Sequence, residues 1–177
     1  MNLDTSEQLK YYLESLGELG KVLINSEEPT SIGKGILRIA LGTIMASKGV
    51  IFLTEQKGKH LKILSVQGNS QNLTFPLTKS DQQYFKSFKG CQLYDKKTAK
   101  LNKDIKFYFK ELQVKIVIPL LHKKNLIGIL CIGQKFMQQE YSAIEFKLLE
   151  IISNHLTKAL YNYILINEVN KKENILS

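Results

Sequence analysis

The stretch Val114–Gly133 limits the fold more tightly than any other part of the chain. It reads Val-Lys-Ile-Val-Ile-Pro-Leu-Leu, then His-Lys-Lys-Asn, then Leu-Ile-Gly-Ile-Leu-Cys-Ile-Gly. Two β-branched, apolar runs around a short polar turn predict a hairpin. Nearly every position of both runs is apolar, so both faces must be covered, as in central strands. Pro119 removes one ladder donor and predicts a bulge or a nearby sheet edge. Gly128 predicts the close approach of another backbone. Helices are expected on one face of the sheet, and whatever covers the other face decides the function.

At 177 residues and 44% hydrophobic composition the chain can bury one good core, so one domain is expected. No apolar run reaches about 18 residues, which predicts no membrane span. The N-terminus lacks the basic start and apolar run of a secretory signal. Cys91 and Cys131 form no CxxC pair and fit a reducing cytoplasm, each as a small buried hydrophobe. If either has chemistry it is Cys91, because Lys86 and Lys89 precede it and positive charge favours thiolate.

The chain carries no recognisable catalytic pattern. His60, His122 and His155 have no second ligand at metal spacing, so no metal is expected. Gly33-Lys34-Gly35 lacks the remaining glycines of a phosphate loop, and no Gly-x-Ser-x-Gly elbow exists. Neither an enzyme nor a cofactor is expected.

Periodicity lays out the elements. Asp4 and Glu7 frame a capping box for a first helix to about Asn25, with Leu9, Tyr12, Leu16, Leu19 and Leu23 as a heptad seam. Pro29 restarts the pattern in a second helix to about Ser47. Strands are expected at Val50–Thr54 and His60–Val66, the second with no cleanly polar face. Then about 45 residues of short elements follow: an edge strand at Phe75–Leu77, a helix at Ser80–Phe88, a strand at Cys91–Tyr94 and a helix at Asn102–Leu112. Eight of the sixteen Phe and Tyr residues lie there, so this insert is no disordered linker and needs a surface to cover. After the second hairpin, Ser142 and Glu145 form a capping box for a helix to about Val169. One stripe of that helix is Leu149, Ile152, Leu156, Ala159, Tyr163 and Ile166; Ile144, Leu148, Ile151, Leu160 and Ile164 form another, which calls for two partners.

Residues 57 to 110 carry twelve lysines against three aspartates, which accounts for the whole net charge of +9. Arg38 is the only arginine, and direct base readout leans on bidentate Arg, so sequence-specific nucleic-acid binding is not expected.

Helix, helix, hairpin, aromatic insert, hairpin, long helix is an order that resembles a GAF domain from about Ser26 to Val169. The residues that carry the likeness are Ser47-Lys-Gly49-Val-Ile-Phe-Leu, Val117-Ile-Pro-Leu-Leu with Leu126-Ile-Gly-Ile-Leu, and Tyr141-Ser-Ala-Ile-Glu-Phe. The resemblance implies an α+β, GAF/PAS-like fold. Its central antiparallel sheet would have the N- and C-terminal helices on one face and short helices and loops over the other. Residues 1–25 would be a dimerisation and signalling helix, 26–169 the GAF domain and 170–177 a polar, frayed tail. The cyclic-nucleotide phosphodiesterase type carries Asn-Lys, then Phe, three residues and Asp-Glu; here Gln134-Lys135, Tyr141 and Glu145-Phe146 depart from it. The bilin-binding type needs a Cys beside His, and Cys91 is followed by Gln92.

A cytoplasmic sensory or regulatory domain is the expected function. It would bind a small, planar and anionic molecule and relay it through dimeric terminal helices, with an output domain or partner protein beyond. Ring stacking and lysine attraction would hold the ligand at Phe75, Tyr84, Phe88, Cys91, Tyr94, Phe107 and Phe109. The homodimer would form through Leu9, Leu16, Leu23, Leu149, Ile152, Leu156, Ala159, Tyr163 and Ile166. The alternatives are a relay module without a ligand, its aromatics closing the core, and, more remotely, a thiol enzyme of the methionine sulfoxide reductase kind.

Overall fold

The structure, a computed structural model, describes residues 5–25, 28–55, 57–68 and 73–176. Its helices are α1 (Thr5–Asn25), α2 (Pro29–Ile44), α3 (Lys79–Lys86), α4 (Lys103–Glu111) and α5 (Ala143–Leu176). Its strands are β1 (Gly49–Glu55), β2 (His60–Gln67), β3 (Thr74–Pro76), β4 (Gln92–Leu93), β5 (Ile116–His122) and β6 (Asn125–Ile132). They form one antiparallel sheet in the order β3-β2-β1-β6-β5-β4. The expected α+β architecture is present, with the apolar hairpin as β5 and β6.

Both faces of the sheet are buried. Ile51, Ile116, Ile118, Leu120, Leu130 and Ile132 face α1, α2 and α5 in one apolar cluster. Val50, Phe52, Leu61, Val117, Ile129 and Cys131 face α3, α4 and their loops in a second. Each fully buried aliphatic side chain contributes roughly 1.5–3 kcal/mol, so neither layer is dispensable.

Two bulges explain why the strands do not alternate cleanly. In β2, Ile51 pairs Ser65 and Phe52 pairs Ile63, so Leu64 is the extra residue. Leu64 turns toward the terminal helices while Leu61, Ile63 and Val66 face the insert. In β6, Leu120 pairs Gly128 and Leu121 pairs Leu126, which leaves Ile127 extra. The hydroxyl of Thr54 secures this second bulge, lying 2.8 and 2.9 Å from the carbonyl oxygens of Leu126 and Ile127. A Cβ on Gly128 would run into the carbonyl oxygen of Phe52, the close backbone approach expected there. Pro119 finds its place because β4 pairs only with Ile116 and Val117, leaving no strand beside the missing donor.

Helix boundaries differ from expectation at two ends. α2 stops at Ile44, three residues early, because Met45 turns left-handed and its successor Ala46 donates to the Leu41 carbonyl. α5 continues through the expected frayed tail to Leu176. Asp4, half of the expected first capping box, lies outside the described residues.

A buried ion pair fastens α5 to the sheet. The Lys135 ammonium sits 2.8 Å from each carboxylate oxygen of Glu145, with side chains 11% and 5% exposed. Glu145 also accepts from the Ser142 backbone N–H at 2.9 Å, and Ser142 returns the contact through its hydroxyl, the expected capping box. Tyr141 donates to the Gly133 carbonyl at 2.6 Å. The residues that align with the phosphodiesterase-type pattern are therefore a structural clamp between the end of β6 and the start of α5.

Two expectations test this frame. Gly128→Ala should destabilise by about 2 kcal/mol or more, since a backbone oxygen cannot give way, read as a lower urea midpoint. Lys135→Met should cost about 3 kcal/mol by stranding the Glu145 charge, and adding Glu145→Leu should recover much of it.

Candidate ligand-binding site

The insert is built around one buried carboxylate. Asp81 is 1% exposed and accepts from the Thr78 N–H at 2.9 Å, the Asn102 N–H at 2.9 Å and the Asn102 side-chain amide at 2.7 Å. Asn102 then caps α4 by accepting from the Ile105 N–H at 3.0 Å. Thr78 caps α3 reciprocally with Asp81. One charge thus joins the starts of both short helices and fixes them over the sheet.

What they carry fills the face. The Phe52 ring lies 6.0 Å from Phe75, 5.8 Å from Tyr108 and 6.3 Å from Phe109, and Phe75 is 5.1 Å from Tyr108. Phe85 closes the layer against Phe109 at 6.4 Å. The expected aromatic pocket over the sheet is occupied by its own aromatics. Of the twelve lysines in this part of the chain eleven are exposed, and only Lys106 is half-buried.

The open space lies at the sheet edge instead. A cleft of about 690 Å³ runs between the loop after β4, the C-terminal half of α4 and the segment that leads into β5. Lys106, Phe109 and Lys110, one stripe of α4, form one wall with Gln113 just past the end of that helix. Tyr94, Lys96 and Lys97 form the other, and Lys115 and Gln134 close the end. Tyr94 packs edge-on to Phe109, centroids 5.2 Å apart. Burial raises the Tyr94 phenol above its usual range, so it stays protonated.

The expected ligand residues are thus scattered. Tyr94 and Phe109 meet in the cleft, while Phe75 is sealed in the aromatic layer. Tyr84 and Phe88 meet edge to face, centroids 4.9 Å apart, beside that layer. Phe107 points outward, 66% exposed, at a smaller cleft of about 350 Å³ with Asp104 and Glu111. Cys91 is corrected outright, because it belongs to the opposite layer under the terminal helices. Sequence reasoning missed the lysines of the cleft. Their signal was the spacing of Lys106, Phe109 and Lys110, which is helical and not apolar.

The expected dimer seam needs correction as well. Leu149, Ile152 and Leu156 are 0–1% exposed within one chain, and Leu16 and Leu23 lean on the same core. Ala159 and Tyr163 are half-buried, and only Leu9 and Ile166 stand free at 52% and 59%. The unbroken 3-4 spacing reflects packing on the protein's own sheet. Among the described residues no group of His, Cys, Asp and Glu is placed to hold a metal, and no helix is long and apolar enough to cross a membrane.

Neither thiol is activated. Burial first, and then the Glu150 carboxylate, push Cys91 up to about 12, and burial alone pushes Cys131 well up. The lysines before Cys91 do not offset this. A thiol reagent at pH 8 should therefore label neither cysteine on the native protein and both after unfolding. Because the folded state holds the Cys91 proton more tightly than the unfolded chain, whose thiol titrates near 9.0, its contribution to stability is intact below pH 9 and is lost as pH rises toward 12. Urea midpoints should fall over that window, and less so in Cys91→Ala.

No protein-family model and no curated protein sequence matches the chain. Solved structures do. The GAF domain of a phosphoenolpyruvate-protein phosphotransferase from Coxiella burnetii is similar at 13% identity and TM-score 0.71, over 90% of this chain and 98% of that one. The phycoerythrobilin-bound GAF domain of a cyanobacterial phytochrome is similar at 13% identity and TM-score 0.66, over 89% and 98%. Residues 122 to 287 of a methyl-accepting chemotaxis protein are similar at 11% identity and TM-score 0.67, over 84% and 98%. With its six-stranded antiparallel sheet, terminal helices on one face and short helices on the other, the chain has the fold of a GAF domain.

Proposed function

We propose that the chain is a regulatory GAF-fold module that pairs with a second copy through its terminal helices and passes a change of state along α5. The observation that carries this reading is where apolar surface is left exposed. Among the described residues, eleven of the sixteen exposed large apolar side chains lie on α1 and α5. On α5 they include Ile144 and Ile151 early, then Leu165, Ile166, Val169, Ile175 and Leu176.

At about 1.5 Å per residue, α5 is a rod of about 51 Å. Its buried stripe ends at Leu160, so its last third leans on little of its own domain. Leaving such a stripe in water forgoes about 25 cal/mol per Å² of burial, and a second copy supplies a matching stripe with the same residues. A helix clamped to the sheet at one end and free at the other transmits a shift of the clamp to whatever follows. The likeness to part of a chemotaxis protein fits that role. Two free, buried thiols fit a cytoplasmic setting. A small molecule as the input is the second reading, favoured by the basic cleft.

Sedimentation at tens of micromolar tests the pairing. Wild type should run as a dimer, and Ile166→Glu with Val169→Glu should run as a folded monomer that still melts cooperatively, at a temperature that no longer rises with protein concentration. Leu156→Glu should unfold the protein, because that side chain is 0% exposed in the monomer core. A wild type that is already monomeric there would overturn the proposal.

A further inference from the structure

The cleft between β4 and α4 gathers charge that folding does not require. Lys96, Lys97, Lys106, Lys110 and Lys115 line it, against Asp95 as the one carboxylate. That carboxylate is already engaged, accepting from the Lys97 backbone N–H at 2.9 Å. None of the five ammonium groups has a carboxylate within 4 Å among the described residues; the ion pairs found there involve Lys62 and Lys135. Lys106 and Lys110 are four apart on α4, where like charges destabilise a helix. Local rules broken without a compensating contact mark functional positions.

From this geometry we infer that the cleft binds a small anion bearing two or more linked phosphate groups. A cleft of about 690 Å³ is of small-molecule size. Five ammonium groups less one carboxylate leave four positive charges, which a single phosphate does not balance and a di- or triphosphate does. Lysines act as point charges on phosphate, whereas the planar forks that read carboxylates are arginines, of which the cleft has none. Gln113 and Gln134 add neutral donors at the same end, and the Tyr94 hydroxyl adds another. The concave shape sets this site apart from a flat basic surface for a polymer. The site does not depend on dimerisation, since its lining comes from one chain.

Titration calorimetry with inorganic phosphate, pyrophosphate and tripolyphosphate tests it. Affinity should climb with each added phosphate, by tenfold or more from phosphate to tripolyphosphate, and should fall as salt is raised. Each ammonium removed should weaken tripolyphosphate about fivefold, so Lys106→Gln with Lys110→Gln should weaken it about 25-fold. The same pair should melt no lower than wild type in the absence of phosphate, because repulsion on α4 is relieved. Lys123→Gln with Lys124→Gln, in the turn between β5 and β6, should leave the affinity unchanged. Equal losses for both pairs would reduce the site to diffuse surface charge and overturn the inference. So would no heat with tripolyphosphate, or binding confined to a single-stranded oligonucleotide.

Discussion

Burial of β6 on both faces is the constraint from which the rest follows. Ile127, Leu130 and Ile132 look one way and Leu126, Ile129 and Cys131 the other, and all are buried. A strand of that kind cannot stand at an edge or face water, so it lies between β1 and β5 and needs two apolar covers. Gly128 lets β1 come close enough to pair, and the bulge at Ile127 switches the faces midway. The terminal helices are one cover and the aromatic insert the other. An insert recruited as a cover spends its aromatics on the sheet, which leaves no open pocket over that aromatic layer.

The two covers are held by opposite uses of charge. Glu145 and Asp81 are buried, and each is met by several donors within 3 Å. In such surroundings a carboxylate fixes geometry, because any other arrangement leaves it unpaired in a medium of low dielectric. Four of the five cleft lysines are exposed, and none has a carboxylate partner among the described residues, so solvent screens their mutual repulsion. Buried charge organises this protein, and exposed charge is left to the solvent. The clamp and the cleft are also neighbours in sequence, since Gln134 of the cleft precedes Lys135 of the clamp.

The sequence alone determined the kind and order of the elements. Alternating and helical apolar spacing, the Ser142–Glu145 capping box, Pro119 and Gly128 are local signals, and local backbone geometry obeys them. It also determined that both sheet faces must be covered, because Val117–Leu121 and Leu126–Ile132 have no polar side. Which stripe meets which surface was decided only in three dimensions. The spacing of Leu149, Ile152 and Leu156 is the same whether the partner is another chain or the protein's own sheet, and here the sheet takes them. Phe75 and Phe109 read alike as aromatics, yet one is sealed in the layer and the other reaches the cleft. Cys91 lies next to lysines in sequence but under α5 in space, where burial and Glu150 outweigh them. The cleft itself joins the loop after β4, α4, the approach to β5 and Gln134 beyond β6, segments that only the fold brings together. Periodicity reports the direction of a side chain from its own axis, and only tertiary packing sets what stands opposite.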